Sequence, residues 1–344
     1  MSYRSNCCIF VDILPTFIDR MPTILLVTPP PTLPLDETST HDTSPHERLT
    51  SNASAESQER EWKARLDLKL ALRGEKTVLA HSLHEGPLRV QRPFYPEANN
   101  CCHIYLLHPP GGLAIGDRLS INIELESGRS LVTTPSAGKV YGLKGLVSNQ
   151  RHAQGQYCNF RVADESYFEW LPQETIVFDG AEVLLRTKIE LAPKAKIFTW
   201  DIVCLGRPAG DEPFRSGHCT QSLELWRDGK PLFIEKNHIE AGSVFCDAQW
   251  GMQGQGSTGT LISTMSLDRD AIDELYLKLA AMTGLGATKD ARYCWALTQK
   301  DSLFIARYLG PSAAQCRYGF ELIWRETREL FNQTSAVIPR IWNT

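Results

Sequence analysis

Between Gly86 and Leu119 the chain is punctuated too densely for a helix to pass. Pro87, Pro93, Pro96, Pro109 and Pro110 each fix φ at about −65° and remove a backbone donor. Gly111, Gly112 and Gly116 add conformations closed to other residues. The stretch therefore reads as a rigid, sharply turned loop that presents His108, Asp117 and Arg118 between two extended segments.

The flanking segments are strands by their period. In WKARLDLKLALR (62–73) Trp62, Ala64, Leu66, Leu68, Leu70 and Leu72 alternate with charged residues, as in a half-buried strand. SINIELE (120–126) and VLLRTKIEL (183–191) repeat the pattern, and Thr77 to Leu83 reads the same way. Asp228-Gly229 between LELWR and KPLFI predicts a two-residue hairpin, because both central positions favour φ > 0. Most of the chain is antiparallel-compatible strand, and so many strands in series allow a stacked, helical β arrangement. Two helices interrupt it. Ile272, Leu275, Tyr276 and Leu279 predict one over Asp268 to Met282, stopping at Gly284. A Ser312/Gln315 capping pair and the stripe Cys316, Phe320, Ile323, Thr327 and Leu330 predict another over Ser312 to Phe331.

Residues 1–60 differ from the rest. Asp12, Pro15, Asp19, Arg20 and Pro22 break the apolar start, so no run approaches the ~20 residues that span a bilayer. Thr28 to Gln58 is rich in Pro, Thr, Ser and Glu, a composition that cannot bury enough surface to fold. The expectation is a disordered extension over 1–60, part of it upstream of a start at Met21, with a targeting role as the alternative, and one β-rich domain over 61–344. The net charge of −4 gives no footprint for nucleic acid. The ten cysteines contain no CxxC pair and read as reduced, buried thiols.

Polar chemistry is thinly signalled. PSAGKV (135–140) lacks the glycine and hydroxyl residue of a phosphate loop and reads as a turn. His81 with His84, and Cys102 with His103, diverge on strands, so no tight metal site is expected. Glu169, Glu174 and Asp179 sit among apolar residues in EWLPQETIVFDGA. Either they are satisfied structurally or, with Asp117, they offer weak oxygen sites to a passing divalent cation. Arg89 and Arg92 read equally as solvated strand residues and as interface residues.

Several of these stretches also carry a resemblance. GPLRVQRPFYPE (86–97), HPPGG (108–112) with Gly116-Asp117, VTTP (132–135), EWLPQETIVFDGA (169–181), CLGRPA (204–209) and PRIWNT (339–344) occur in order. Over Trp62 to Thr344 the chain resembles the urease accessory protein D family, called H in some organisms. The resemblance implies one large, antiparallel-rich, β-helix-like domain, mainly β, with two α-helices. It implies a cytoplasmic assembly factor without turnover that binds apo-urease, an F-type accessory protein and, through it, a G-type GTPase. Such a factor assists nickel insertion, with nickel in transit, no tightly bound cofactor, and neither nucleic acid nor membrane as partner.

Asp117, Glu174, Asp179 and His108 then become candidates for nickel passage, and Pro109, Pro110, Gly111, Gly112 and Gly116 shape the loop. Arg89, Arg92 and Trp342 are candidate interface residues, and the last helix with the PRIWNT tail is expected to help dock the F-type partner. Ile115 stands where the family often has a second glycine, and Val140 to Gly145 departs from its usual aromatic-Tyr-Arg sequence. The rival reading is an all-β carbohydrate-active hydrolase with Glu169 or Glu174 paired to Asp179.

Overall fold

The structure is a computed structural model that describes residues 62–142, 154–282 and 294–343. Backbone contacts divide the chain between Glu56 and Ser57, and every described residue belongs to Ser57–Thr344. The expected N-terminal extension, the Gly284 stop and residues 143–145 lie outside the described residues.

Two open sheets carry the fold. Across the seven-stranded first sheet run Lys230–Glu240, His218–Arg227, Glu182–Leu191, Gln154–Val162, Asp117–Leu125, Trp62–Arg73 and Lys76–Glu85. The main path of the second runs Trp295–Lys300, Leu303–Gly310, Ser257–Ser263, Lys196–Leu205, Tyr167–Leu171, Arg129–Thr133, Cys102–Leu107 and Arg89–Val90. The chain passes from one sheet to the other and back, so that successive visits to a sheet lie side by side. Asp117–Leu125, Gln154–Val162, Glu182–Leu191 and His218–Arg227 are therefore parallel, as are Arg129–Thr133, Tyr167–Leu171 and Lys196–Leu205.

The laps share their corners: Tyr167 donates its N–H to Gly128 O, and Lys196 repeats the bond to Ser166 O, each at 2.9 Å. On the outer face Asn159 Nδ2 donates to Asn122 Oδ1 at 3.0 Å, and Asn122 Nδ2 to Asp67 Oδ1 at 2.7 Å, a polar ladder across three strands. The mainly β, stacked-strand expectation holds. Antiparallel pairs form the flanks, including the hairpin at Asp228 (φ 49°) and Gly229 (φ 71°). Parallel pairs form the middle; alternation in a sequence reports a solvated face and is silent on strand direction.

Two cores follow. One lies between the sheets, around Leu66, Ile123, Phe160, Phe168 and Trp170. The other lies between the second sheet and its helices, around Trp200, Trp295, Phe320 and Trp324. Lys196–Leu205 is buried on both faces because it contributes to both.

Besides the short α1 (Val244–Asp247), the expected helices appear as α2 (Arg269–Met282) and α3 (Ala313–Asn332). Ser312 Oγ accepts the Gln315 N–H at 3.2 Å. The return half of the capping box is replaced by Tyr308, whose hydroxyl donates to Gln315 Oε1 and accepts the Ser312 N–H. The α3 stripe ends on Phe331 in place of Leu330, which is 67% exposed. The eight described cysteines are free and six of them are buried. Among the described residues no helix is long and apolar enough to cross a membrane.

Candidate functional site

The HPPGG turn roofs a small cavity. Gly111 (φ 78°) returns its N–H to His108 O at 2.9 Å. A Cβ on Gly112 would meet the Lys139 carbonyl at 2.7 Å, so only glycine lets the loop lie on strand Gly138–Val140. Leu113 donates to Lys139 O at 2.7 Å, and the buried Gln154 amide ties Leu113 O to Tyr141 O. Asp117 is buried and closes the loop, its Oδ2 accepting the Ala114 N–H at 2.8 Å. Beneath lies a cavity of about 120 Å³ lined by His108, Gly112, Thr134, Gln156, Trp170 and Thr175. Burial holds the half-buried His108 below the ordinary imidazole pKa, against the pull of Asp117.

Glu174 and Asp179 stand apart from this cavity. Glu174 faces α3, with its Oε2 3.9 Å from Arg317 Nε. Asp179 Oδ1 accepts from the Arg215 and Ser216 backbone N–H groups and from Ser216 Oγ, all within 2.9 Å, and so anchors the 206–217 connection.

Glu169 is committed to a buried knot. Arg328 on α3 forks onto it through Nε and Nη2, and Trp324 Nε1 donates to its Oε1 at 2.7 Å. Arg328 Nη2 also reaches Glu97 Oε1 at 2.8 Å, and His103 Nε2 bonds that same oxygen. These contacts occupy Glu169, one of the two carboxylates that the hydrolase reading offers as partner to Asp179. Glu97, Cys101 and His103 bring potential ligand atoms within 4.8 Å of one another. The neighbouring guanidinium repels a cation, and burial pushes the Cys101 thiol far up, which keeps it protonated. The geometry is that of a structural clasp.

A second polar group lies between the sheets and was missed in the sequence. On Lys196–Leu205 the residues facing the first sheet are Ile197, Thr199, Asp201, Val203 and Leu205, which makes Asp201 the one acid on that inner face. Burial raises its pKa, Glu235 adds to the rise, and Gln221 opposes it with a hydrogen bond. Glu235 Oε1 accepts from Thr260 Oγ1 at 2.9 Å and Asn237 Nδ2 at 3.2 Å, while Arg307 pairs with its Oε2. The group opens into a groove of about 300 Å³ that includes Glu235, Asn237, Thr260 and Arg307. A lone acid within the apolar run IFTWDIVCL was the available signal.

A family model described as UreD urease accessory protein matches residues 63–343. The chain belongs to the UreD family. It is 55% identical over 286 residues to a urease accessory protein UreD from Saccharophagus degradans, covering 83% of this chain and 94% of that one. It is 38% identical over 304 residues to the Hahella chejuensis protein of the same name, covering 87% and 96%. For the Citrobacter koseri protein the figures are 36% over 314 residues, 90% and 98%.

The remaining UreD-like motif residues are placed as follows. Arg89 is exposed and donates through Nη1 to Gly86 O and Leu88 O, and Arg92 is exposed. Trp342 is packed: its ring lies 6.0 Å from Trp200 and 5.9 Å from Trp324, and its Nε1 donates to Thr133 Oγ1 at 2.7 Å. The loop accommodates the Ile115 departure without a positive φ.

Proposed function

We propose that this UreD-family chain acts in urease maturation as a non-catalytic scaffold in the cytoplasm. It binds apo-urease and an F-type accessory protein, and through the latter a G-type GTPase, while nickel passes by way of weak oxygen and imidazole sites. The observation that supports this most is the set of polar groups on the facing sides of the two sheets: Asp201 and Glu235, with Arg307 at the exposed end of the groove, in one place, and His108 and Asp117 in another. Oxygen donors without a thiolate cage suit an ion that must be released again. Glu174 and Asp179 enter this reading as acids near the passage rather than in it, since one faces α3 and the other caps a loop.

The test is urease nickel content and complex yield in cells carrying Asp201→Ala, Glu235→Ala or Asp117→Ala in this chain. Nickel-poor urease with normal complex recovery is the expected result. Full nickel loading in all three variants refutes the route, and fully metallated urease in a deletion strain refutes the maturation role.

A further inference from the structure

Along one side the two sheets are joined by a charged contact. Asp201, Thr260, Arg307 and Ala296 stand in one row across strands Lys196–Leu205, Ser257–Ser263, Leu303–Gly310 and Trp295–Lys300, each paired with the next. The row runs from a middle strand to the edge of the second sheet. Glu235 lies on Lys230–Glu240, the edge strand of the first sheet. Arg307 reaches across and pairs with Glu235 Oε2, its guanidinium 6.0 Å from the Phe233 ring on the same strand.

With that contact made, both oxygens of Glu235 are engaged. Its Oε1 accepts from Thr260 Oγ1 at 2.9 Å and from Asn237 Nδ2 at 3.2 Å, and its Oε2 is held by Arg307. Behind it an amide relay leads inward: Asn237 Nδ2 lies 3.4 Å from Gln221 Oε1, and the Gln221 side chain bonds Asp201. The Arg307 side chain is 54% exposed against 15% for Glu235, and the row beyond it ends on the methyl group of Ala296. The guanidinium therefore has solvent on its far side, and a surface pair of this kind is held by little free energy. It also sets a positive charge in the lining of the groove, where it repels an approaching cation.

We infer that Arg307 is the latch of this groove: a divalent cation enters by exchanging with the guanidinium for Glu235 Oε2. The inference rests on the proposed nickel route past Asp201 and Glu235 and adds how that route is regulated. Among the described residues no three acid, histidine or cysteine ligand atoms gather in this groove, so the cation is held by few oxygens and the returning guanidinium displaces it.

Titration of Ni²⁺ into the isotopically labelled full chain tests the latch, read by paramagnetic broadening of the Thr260 and Asn237 amide resonances. Arg307→Gln is expected to lower the Ni²⁺ concentration at half-broadening about tenfold, since a nearby positive charge is gone and a carboxylate oxygen is freed. Arg307→Lys is expected to lower it less, because the ammonium keeps the charge. Arg307→Gln combined with Glu235→Gln is expected to lose the gain. A purely structural contact would lower the unfolding midpoint of Arg307→Gln and leave the half-broadening concentration at the wild-type value. That result overturns the inference, as does a gain that survives in the double variant. The titration needs no urease, whereas the route is decided by urease nickel content in Asp201→Ala cells, so each can fail without the other.

Discussion

Arg328 grips Glu169 with both prongs of its guanidinium, Nε to Oε1 at 2.9 Å and Nη2 to Oε2 at 2.7 Å, and neither side chain is open to solvent. One residue lies on the last helix and the other on a middle strand of the second sheet, so the pair fixes α3 to the sheet. Removing one partner strands the other charge in the interior. Arg328→Ala is expected to cost about 3–5 kcal/mol. Arg328→Lys is expected to restore little, since an ammonium cannot fork. Urea unfolding of the purified chain measures both, and an alanine variant as stable as wild type would sink the clasp.

Glu97 gives the clasp a pH dependence. Burial alone would raise its pKa, but His103 and Arg328 outweigh burial and bring it below the ordinary 4.5. A carboxylate depressed in the folded state contributes stability above its unfolded value, and that contribution is lost as pH falls through the folded one. Glu97→Gln should therefore lower the melting temperature at neutral pH and flatten its decline in acid. Parallel melting curves down to the acid limb, wild type against variant, would count against the assignment.

Gly112 has no room for a methyl group beside the Lys139 carbonyl. Gly112→Ala should lift the loop from strand Gly138–Val140 and destabilise by roughly 1–3 kcal/mol. Hydrogen exchange at Leu113 and Tyr141 reads the same event locally, and unchanged protection there would show that the loop gives way more easily than its packing implies.

Asp201 should behave in the opposite sense to Glu97. Its pKa is raised above 3.8, chiefly by burial, so at neutral pH the folded protein holds a charge that the unfolded chain carries more comfortably. Asp201→Asn is expected to raise the unfolding midpoint at pH 7. The gain should be absent well below the ordinary Asp value and fully present above the raised folded one. A midpoint lowered at pH 7 would show that the carboxylate is held by bonds stronger than its burial.

The PRIWNT tail is tied to the helix-side core through Trp342. Deleting Pro339 to Thr344 should cost roughly 2–4 kcal/mol, by the scale of losing a large aromatic from packing. A loss of partner co-purification in that variant therefore reports docking only if calorimetry shows the domain still folded at the assay temperature.

The strands, the Asp228-Gly229 hairpin and both long helices were legible because each is written in a local period or dipeptide. The direction of strand pairing was not. Asn122 and Asn159 lie side by side in a parallel pair, yet nothing near either residue names the other. The site suffered from the same limit. His108 and Asp117 could be placed because the HPPGG turn fixes its own geometry. The grouping of Asp201 with Glu235 depends on knowing which face of each strand looks inward, and that is decided only when the two sheets meet. Trp342 read as a candidate interface residue, while its packing against Trp200, which leaves it partly buried, is set by a strand far away in the sequence.

The coiled path between the sheets has a kinetic consequence. Asn122 and Asn159 are 37 residues apart, and each new lap can find its register only on the lap already laid down. Assembly should thus proceed as a templated winding, with loop closure to be met at every lap and a correspondingly slow folding rate. Until the hairpin strand Lys230–Glu240 covers His218–Arg227, the growing first sheet ends in a bare edge open to any extended chain. A chain halted midway through this winding is thus expected to be more prone to aggregation than the finished fold.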